Sequence, residues 1–419
     1  MKFDYGAPAQ LSQWFFFRVS NTRKNISYKL NIVNLIKPDS LYNHGMKPLV
    51  YSKKEAELKK NGWHRSGHEI KYYPSKKRAI ASAQVFYTLS FTVEFAYEQD
   101  QVFFAHCYPY TYSDCIMFLK RVCLPSYGKD RLRRTALCKT RAGNSCEMLI
   151  ITNFLATQDQ IADRKCVIIS ARVHPGESNS SYIMEGIVEL LLGDEKEARQ
   201  LRDIFVFKVI PMLNPDGVIV GNYRCSLAGL DLNRQYINPS VKAAPEIASL
   251  KEMVRKTLEC RDIHLYVDIH GHSRHKNLFM YGCGQGTGAV GKQLHLLDKK
   301  GMLAHKEKVL PVLLTRAMDY YSYHDCSFAM HKAKESTGRV SDYQSFPSSV
   351  DLGLCFRIGR DASRVRYRQF IHARGILLRA HPGRAQGHPL HVKVIKSKCL
   401  NCCLTESVFR KWGGTSARH

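Results

Sequence analysis

An α/β domain preceded by a small β-sandwich is the fold class this sequence predicts. Two observations predict it. The first hundred or so residues carry four runs rich in β-branched and aromatic residues, separated by polar turns. The stretch from about residue 108 to residue 339 instead alternates apolar strand patterns with helical ones.

The four early runs are QWFFFRVS, ISYKLNIVNL, QVFYTLSFTVEFAY and QVFFAHCY, which assign residues 1–107 to the sandwich. The first begins only a few residues after Met1, which leads one to expect that an earlier strand is missing and one sheet edge left unpaired. The texture changes at CYPYTYSD, and residues 108–339 form the second domain. Its strands are MLIITNFL, CVIISARV, IFVFKVIPML, HLYVDIH and LFMYG. A helix over SSYIMEGIVELLLG is closed by Gly193 and Asp194, and a second runs from Pro245 to about Leu258, with proline at its permitted early position. Residues 340–419 lose periodicity and read as a divergent basic tail, disordered or only partly ordered.

Composition bounds the function. The chain has 419 residues, 44% hydrophobic and 24% charged, an ordinary globular balance, and no apolar run of about 18 residues that would span a membrane. No signal peptide is visible, and fourteen cysteines without regular spacing fit reduced thiols in the cytosol. Sixty-three Lys and Arg against 36 Asp and Glu give +27, of which residues 341–419 supply +10 from 14 basic and 4 acidic residues. Such a field gathers acidic partners: nucleic acid, anionic membrane or acidic polypeptide. Nucleic acid has no recognised motif to support it.

The residues that carry chemistry begin at His174-Pro175-Gly176-Glu177, a turn between an apolar strand and a helix. Ligands gather at the carboxyl ends of strands in such domains, so His174 and Glu177 can face one point. A third ligand, again a nitrogen, completes a His, Glu, His zinc set with one open position. His270 supplies it, at the end of HLYVDIH, with His272 and His275 as alternatives that strand alternation disfavours. Between these lies a loop holding Asn214-Pro215-Asp216-Gly217, read as a turn, then Arg224, Asn233 and Arg234, and the guanidinium forks of the two arginines suit a carboxylate. Cys399, Cys402 and Cys403 lack the spaced second pair a further metal site needs.

Taken together, HPGE, NPDGV, GNYRCSLAG, DLNR and DIHGHSR resemble the cytosolic carboxypeptidases, a branch of the zinc metallocarboxypeptidases, from roughly Gln13 to Arg339. The resemblance implies a carboxypeptidase-like mixed sheet flanked by helices, and one Zn2+ per chain held by His174, Glu177 and His270. It implies that Asn233 and Arg234 bind a C-terminal carboxylate, that Arg224 polarises the scissile carbonyl, and that Asp231 orients His174. It further implies removal of glutamates from the C-termini or polyglutamate side chains of proteins such as tubulin. The matching setting is the cytoplasm, with the cytoskeleton, the centriole and the basal body of the cilium.

The family's general base is a glutamate on a late strand beyond the segment reading ESTGRV here, but the residues after Val340 contain no such motif. Glu335 lies before that point, and Glu406 stands some seventy residues on in another context, so the catalytic base is left unassigned. The final strand and helix of the domain are expected to be lost with it. Two functions follow: a metallocarboxypeptidase, or a catalytically inactive module that binds acidic polyglutamate tails.

Overall fold

The computed structural model describes residues 4–7, 12–78, 85–272, 275, 277–284, 306–329, 335–338, 340 and the strand 353–359. The early aromatic runs pair as two antiparallel sheets. Strands β1 (Phe16–Ser20), β2 (Ser27–Leu35), β3 (Leu49–Ser52), β4 (His64–Arg65), β5 (His68–Arg78), β6 (Val85–Glu94) and β7 (Gln101–Ala105) build them. One sheet has the order β1-β7-β3-β4 and the other β2-β6-β5. Their facing residues, among them Phe15, Leu89, Phe91 and Phe104, form one buried cluster, because alternate residues of each strand point to the same face. This is the expected sandwich, with β1 and β2 at the sheet edges.

The second domain is a seven-stranded mixed sheet in the order β13-β14-β12-β10-β11-β9-β8. Its strands are β8 (Leu132–Lys139), β9 (Ser145–Ile151), β10 (Lys165–Ala171), β11 (Phe205–Ile210), β12 (Ile263–His272), β13 (Leu278–Gly282) and β14 (Gly353–Gly359). Strands β11, β10, β12 and β14 run parallel, and β9 and β13 are antiparallel to their neighbours. The continuous apolar run of β10 is explained by burial on both faces. Val167, Ile169 and Ala171 enter the core under the helix Asn179–Leu192, while Cys166 and Ile168 enter the core under the helix Pro245–Cys260.

Three expectations need correction. The α/β domain does not end its sheet at residue 339. Strand β14, from the stretch read as a tail, pairs in parallel with β12 and antiparallel with β13, so the late strand is present. GLCFRIG pairs with strands more than seventy residues away in the chain, a relation that no local pattern records. Asn214-Pro215-Asp216-Gly217 is more than a turn: the Asn214 side chain accepts from Gly217 N at 3.0 Å and caps a short helix, Pro215–Val220. Finally, Asp4 is not part of the sandwich but is buried against the loop that carries Arg224. Glu406, Cys399, Cys402 and Cys403 lie outside the described residues.

A half-buried acid on the helix Asn179–Leu192 is tied to a buried tyrosine. Tyr110 donates its hydroxyl hydrogen to Glu185 Oε1 at 2.7 Å. Burial pushes the Glu185 carboxyl from 4.5 to about 7, with the Tyr110 hydrogen bond opposing. The folded chain therefore keeps this proton up to about pH 7, whereas the unfolded chain releases it near 4.5. Stability is present in full below the lower value and is lost as pH rises through this window. Glu185→Gln keeps an acceptor for Tyr110, so urea unfolding of the variant should lack the decline and be more stable above pH 7 by on the order of 1–3 kcal/mol. Parallel pH profiles for both proteins would sink this assignment.

Candidate metal centre

The site is built at the carboxyl ends of β10 and β12, where β10 gives way to the HPGE turn before the helix Asn179–Leu192. His174 Nδ1 lies 2.9 Å from Glu177 Oε1, and His270 Nδ1 lies 3.0 Å from Glu177 Oε2. The two imidazole centroids are 5.0 Å apart. One ligand atom from each of the three residues falls within 4.8 Å of the others, the only such group of three or more among the described residues. The structure thus brings together the three residues the sequence singled out. His272 and His275 stay outside the group, and His275 instead pairs with Asp325 at 3.0 Å.

The outward nitrogens are held as well. His174 Nε2 is 3.1 Å from Asp231 Oδ1, and His270 Nε2 is 2.6 Å from Asp268 Oδ2. A carboxylate behind each imidazole fixes the tautomer that leaves Nδ1 free to donate an electron pair. Ser170 on β10 in turn donates to Asp268 Oδ1 at 2.9 Å. Burial would raise the Glu177 carboxyl, but the charge and hydrogen bonds of His174 and His270 outweigh it and hold it well below the usual range. Asp268 and Asp231 are likewise held low: burial opposes, and the facing histidines prevail, with Arg224 adding to the effect at Asp231.

Two glycines let the parts close. A Cβ on Gly176 would sit 2.6 Å from the Tyr223 ring, and one on Gly271 would sit 2.7 Å from Asn179 Oδ1 and 3.1 Å from Glu177 Cγ. Gly271 N also donates to Glu177 Oε2 at 2.8 Å, so the turn and the strand end are bonded directly.

Arg224 reaches the same cluster from the side. Its Nε donates to Asp231 Oδ2 at 2.7 Å, and so Asp231 bridges Arg224 and His174. Asn233 is buried, with its Nδ2 3.3 Å from His270 Nε2 and its Oδ1 accepting from Gly338 N at 3.2 Å. Arg234 follows it in a short 3-10 turn and donates to the Asn233 carbonyl at 2.6 Å. Glu335 is half-buried in the adjoining segment, whose Ser336 carbonyl accepts from Tyr236 N. Strand β14 places Arg357 in register with His270, and its seven residues, GLCFRIG, include no carboxylate.

Sequence reasoning missed two residues here. Asp268 stands two positions before His270 and therefore on the same strand face, a signal that alternation carries. Arg172 is nearly fully buried and binds the HPGE turn from beneath: Nε donates to the Pro175 carbonyl at 2.8 Å, Nη1 to Ser181 Oγ at 2.8 Å and Nη2 to the Tyr110 carbonyl at 2.9 Å. Nothing in the sequence around it announces that role.

Comparison with known proteins agrees with this geometry. The zinc carboxypeptidase family profile matches residues 126–380, and the chain belongs to that family. Among curated relatives, it is 48% identical to cytosolic carboxypeptidase 2 of Homo sapiens over 330 residues, which is 78% of this chain and 35% of that protein. It is 46% identical to cytosolic carboxypeptidase 3 of Mus musculus, covering 78% of this chain and 32% of the relative. The chain thus spans about a third of the length of these relatives. The fold is shared with the metallo-carboxypeptidase of Burkholderia cenocepacia, at TM-score 0.67 and 18% identity over 90% of this chain and 91% of that one. It is shared also with the metallo-carboxypeptidase of Pseudomonas aeruginosa, at TM-score 0.65 and 20% identity over 89% and 92%. The donor set fits the family's metal, since two imidazole nitrogens and one carboxylate with room for a fourth ligand is a catalytic zinc arrangement.

Proposed function

We propose that this chain forms a zinc metallocarboxypeptidase site that takes glutamate-rich C-termini or side chains of acidic polypeptides, glutamylated tubulin tails among them. The observation that carries this reading is the convergence of His174 Nδ1, His270 Nδ1 and Glu177 on one point, each imidazole backed by its own carboxylate. His174, Glu177 and His270 would hold the zinc. When bound, the metal supplies Lewis-acid polarisation of a carbonyl and a water of lowered pKa.

The chain's own residues supply the rest. Arg224, anchored on Asp231 with more than a quarter of its side chain exposed, would face the oxygen on which charge develops. Arg234 and Asn233 would take the terminal carboxylate, the guanidinium fork matching its two oxygens. The net charge of +27 favours an acidic partner in any case. Likeness to the cytosolic carboxypeptidases supports work in the cytoplasm, and the proposed substrate extends that reading to the cytoskeleton, centriole and basal body of the cilium. Among the described residues, no helix is long and apolar enough to cross a membrane.

A second reading has its own observation. The strand beside His270 carries no carboxylate to serve as base, so the same pocket could hold an acidic tail uncut. Release of free glutamate from a polyglutamate-ended peptide by zinc-loaded protein separates the two. Release that disappears in His174→Ala is the expected result, and no release from a folded, zinc-bearing protein would transfer the function to binding alone.

A further inference from the structure

Asp4, far from the site in sequence, closes the loop that carries Arg224. Its carboxylate is buried, with 6% of the residue exposed, and accepts three consecutive backbone hydrogens. Oδ1 takes Tyr223 N at 2.6 Å, and Oδ2 takes Arg224 N at 2.7 Å and Cys225 N at 2.8 Å. Successive N–H groups aimed at one point form an anion site in the backbone, and here the chain's own carboxylate fills it. Bonds of N–H to a charged acceptor are about twice as strong as neutral ones.

The neighbours of Asp4 grip the loop at both ends. Tyr5 N donates to Asn222 Oδ1 at 2.8 Å, at the loop's start. At its far end, a Cβ on Gly229 would lie 1.9 Å from the Gly6 carbonyl oxygen, so the two backbones pass in direct contact. What the grip fixes is central to the site. Arg224 extends from the clamped backbone to Asp231 and through it to His174, while the Tyr223 carbonyl accepts from Gly176 N of the HPGE turn at 2.8 Å.

We propose that Asp4 is a positioning residue that holds the Tyr223–Cys225 backbone and thereby aims the Arg224 guanidinium at an acidic substrate. The inference rests on the substrate reading above, and its test is chosen to fail separately from it. The probe is a fluorescent peptide ending in several glutamates, titrated into the zinc-loaded chain carrying Asp4→Ala or Asp4→Asn, each alone and combined with Arg224→Ala. Asp4→Ala is expected to weaken binding by on the order of tenfold, since small misplacements of a binding group are costly. Asp4→Asn, which keeps one acceptor, should lose less. Zinc content should stay unchanged in both.

A purely structural role would subtract the same factor in any background. Aiming predicts instead that Asp4→Ala costs nothing further once Arg224→Ala is present, the non-additivity of residues acting through one contact. Additive losses, or zinc lost along with the peptide, would overturn the proposal. Should the wild-type chain bind no acidic peptide, the substrate reading fails, and the clamp is decided by trypsin at the Arg224–Cys225 bond. Faster cleavage there in Asp4→Ala supports it, and an unchanged rate rejects it.

Discussion

His270→Ala should lower zinc affinity by a hundredfold or more, and Asp268→Ala by about ten- to a hundredfold, as measured against a chromogenic chelator. The first figure follows from sharing: roughly 10–16 kcal/mol for a site of four ligands is about 3 kcal/mol for each, and every 1.4 kcal/mol is tenfold. The second reflects the different work Asp268 does. It touches no point where the ligand atoms meet, but at 2.6 Å it holds His270 Nε2 and so keeps Nδ1 directed at Glu177. Partners of this kind typically contribute ten- to a hundredfold in metal affinity. Zinc should also stabilise the wild-type fold in proportion to its concentration over Kd, and that gain should shrink in the same order in the two variants. Equal affinities for wild type and His270→Ala would move the metal elsewhere.

The ligand triad was legible in the sequence because HPGE and His270 each stand just beyond or near the end of a largely apolar strand, β10 and β12. Apolar patterning also located the helices Asn179–Leu192 and Pro245–Cys260, which carry apolar faces over several turns. It did not find β8, whose LRRTALCK is largely exposed at the sheet edge and so carries no apolar alternation. Nor did it find β14, whose partners stand more than seventy residues away in the chain. Long-range pairing of this sort leaves no local mark. The contacts of Asp4 with Tyr223, Arg224 and Cys225 belong to the same class, since over two hundred residues separate donor from acceptor. Chemistry-bearing residues near strand ends were readable, and so was Asp231 behind His174, whereas Asp268, Arg172 and Asp4, which hold the rest in place, were not.

Arg172 is such a residue, and its replacement should be among the most destabilising single changes in the domain. Its backbone lies in the left-handed region at φ 60°, where a side chain is strained by roughly 1–2 kcal/mol. Its guanidinium is buried deeply enough that its pKa falls to about 10, still charged at neutral pH. Three acceptors depend on it: the carbonyls of Pro175 and Tyr110 and the Ser181 hydroxyl. Arg172→Ala strands those buried acceptors and keeps a Cβ at the strained angle, an expected loss of about 3–5 kcal/mol in urea unfolding. Arg172→Gly strands the same acceptors but removes the strain, so it should be more stable than the alanine variant by up to about 1 kcal/mol, the reverse of their usual order. Arg172→Lys should fail nearly as badly as alanine, because one ammonium cannot span three acceptors laid out for a planar fork. Zinc affinity should fall in all three, since the bond to the Pro175 carbonyl fixes the turn between His174 and Glu177. A glycine variant as stable as wild type would show that the guanidinium holds nothing, whereas a glycine variant below alanine would show that the left-handed angle costs the native chain little.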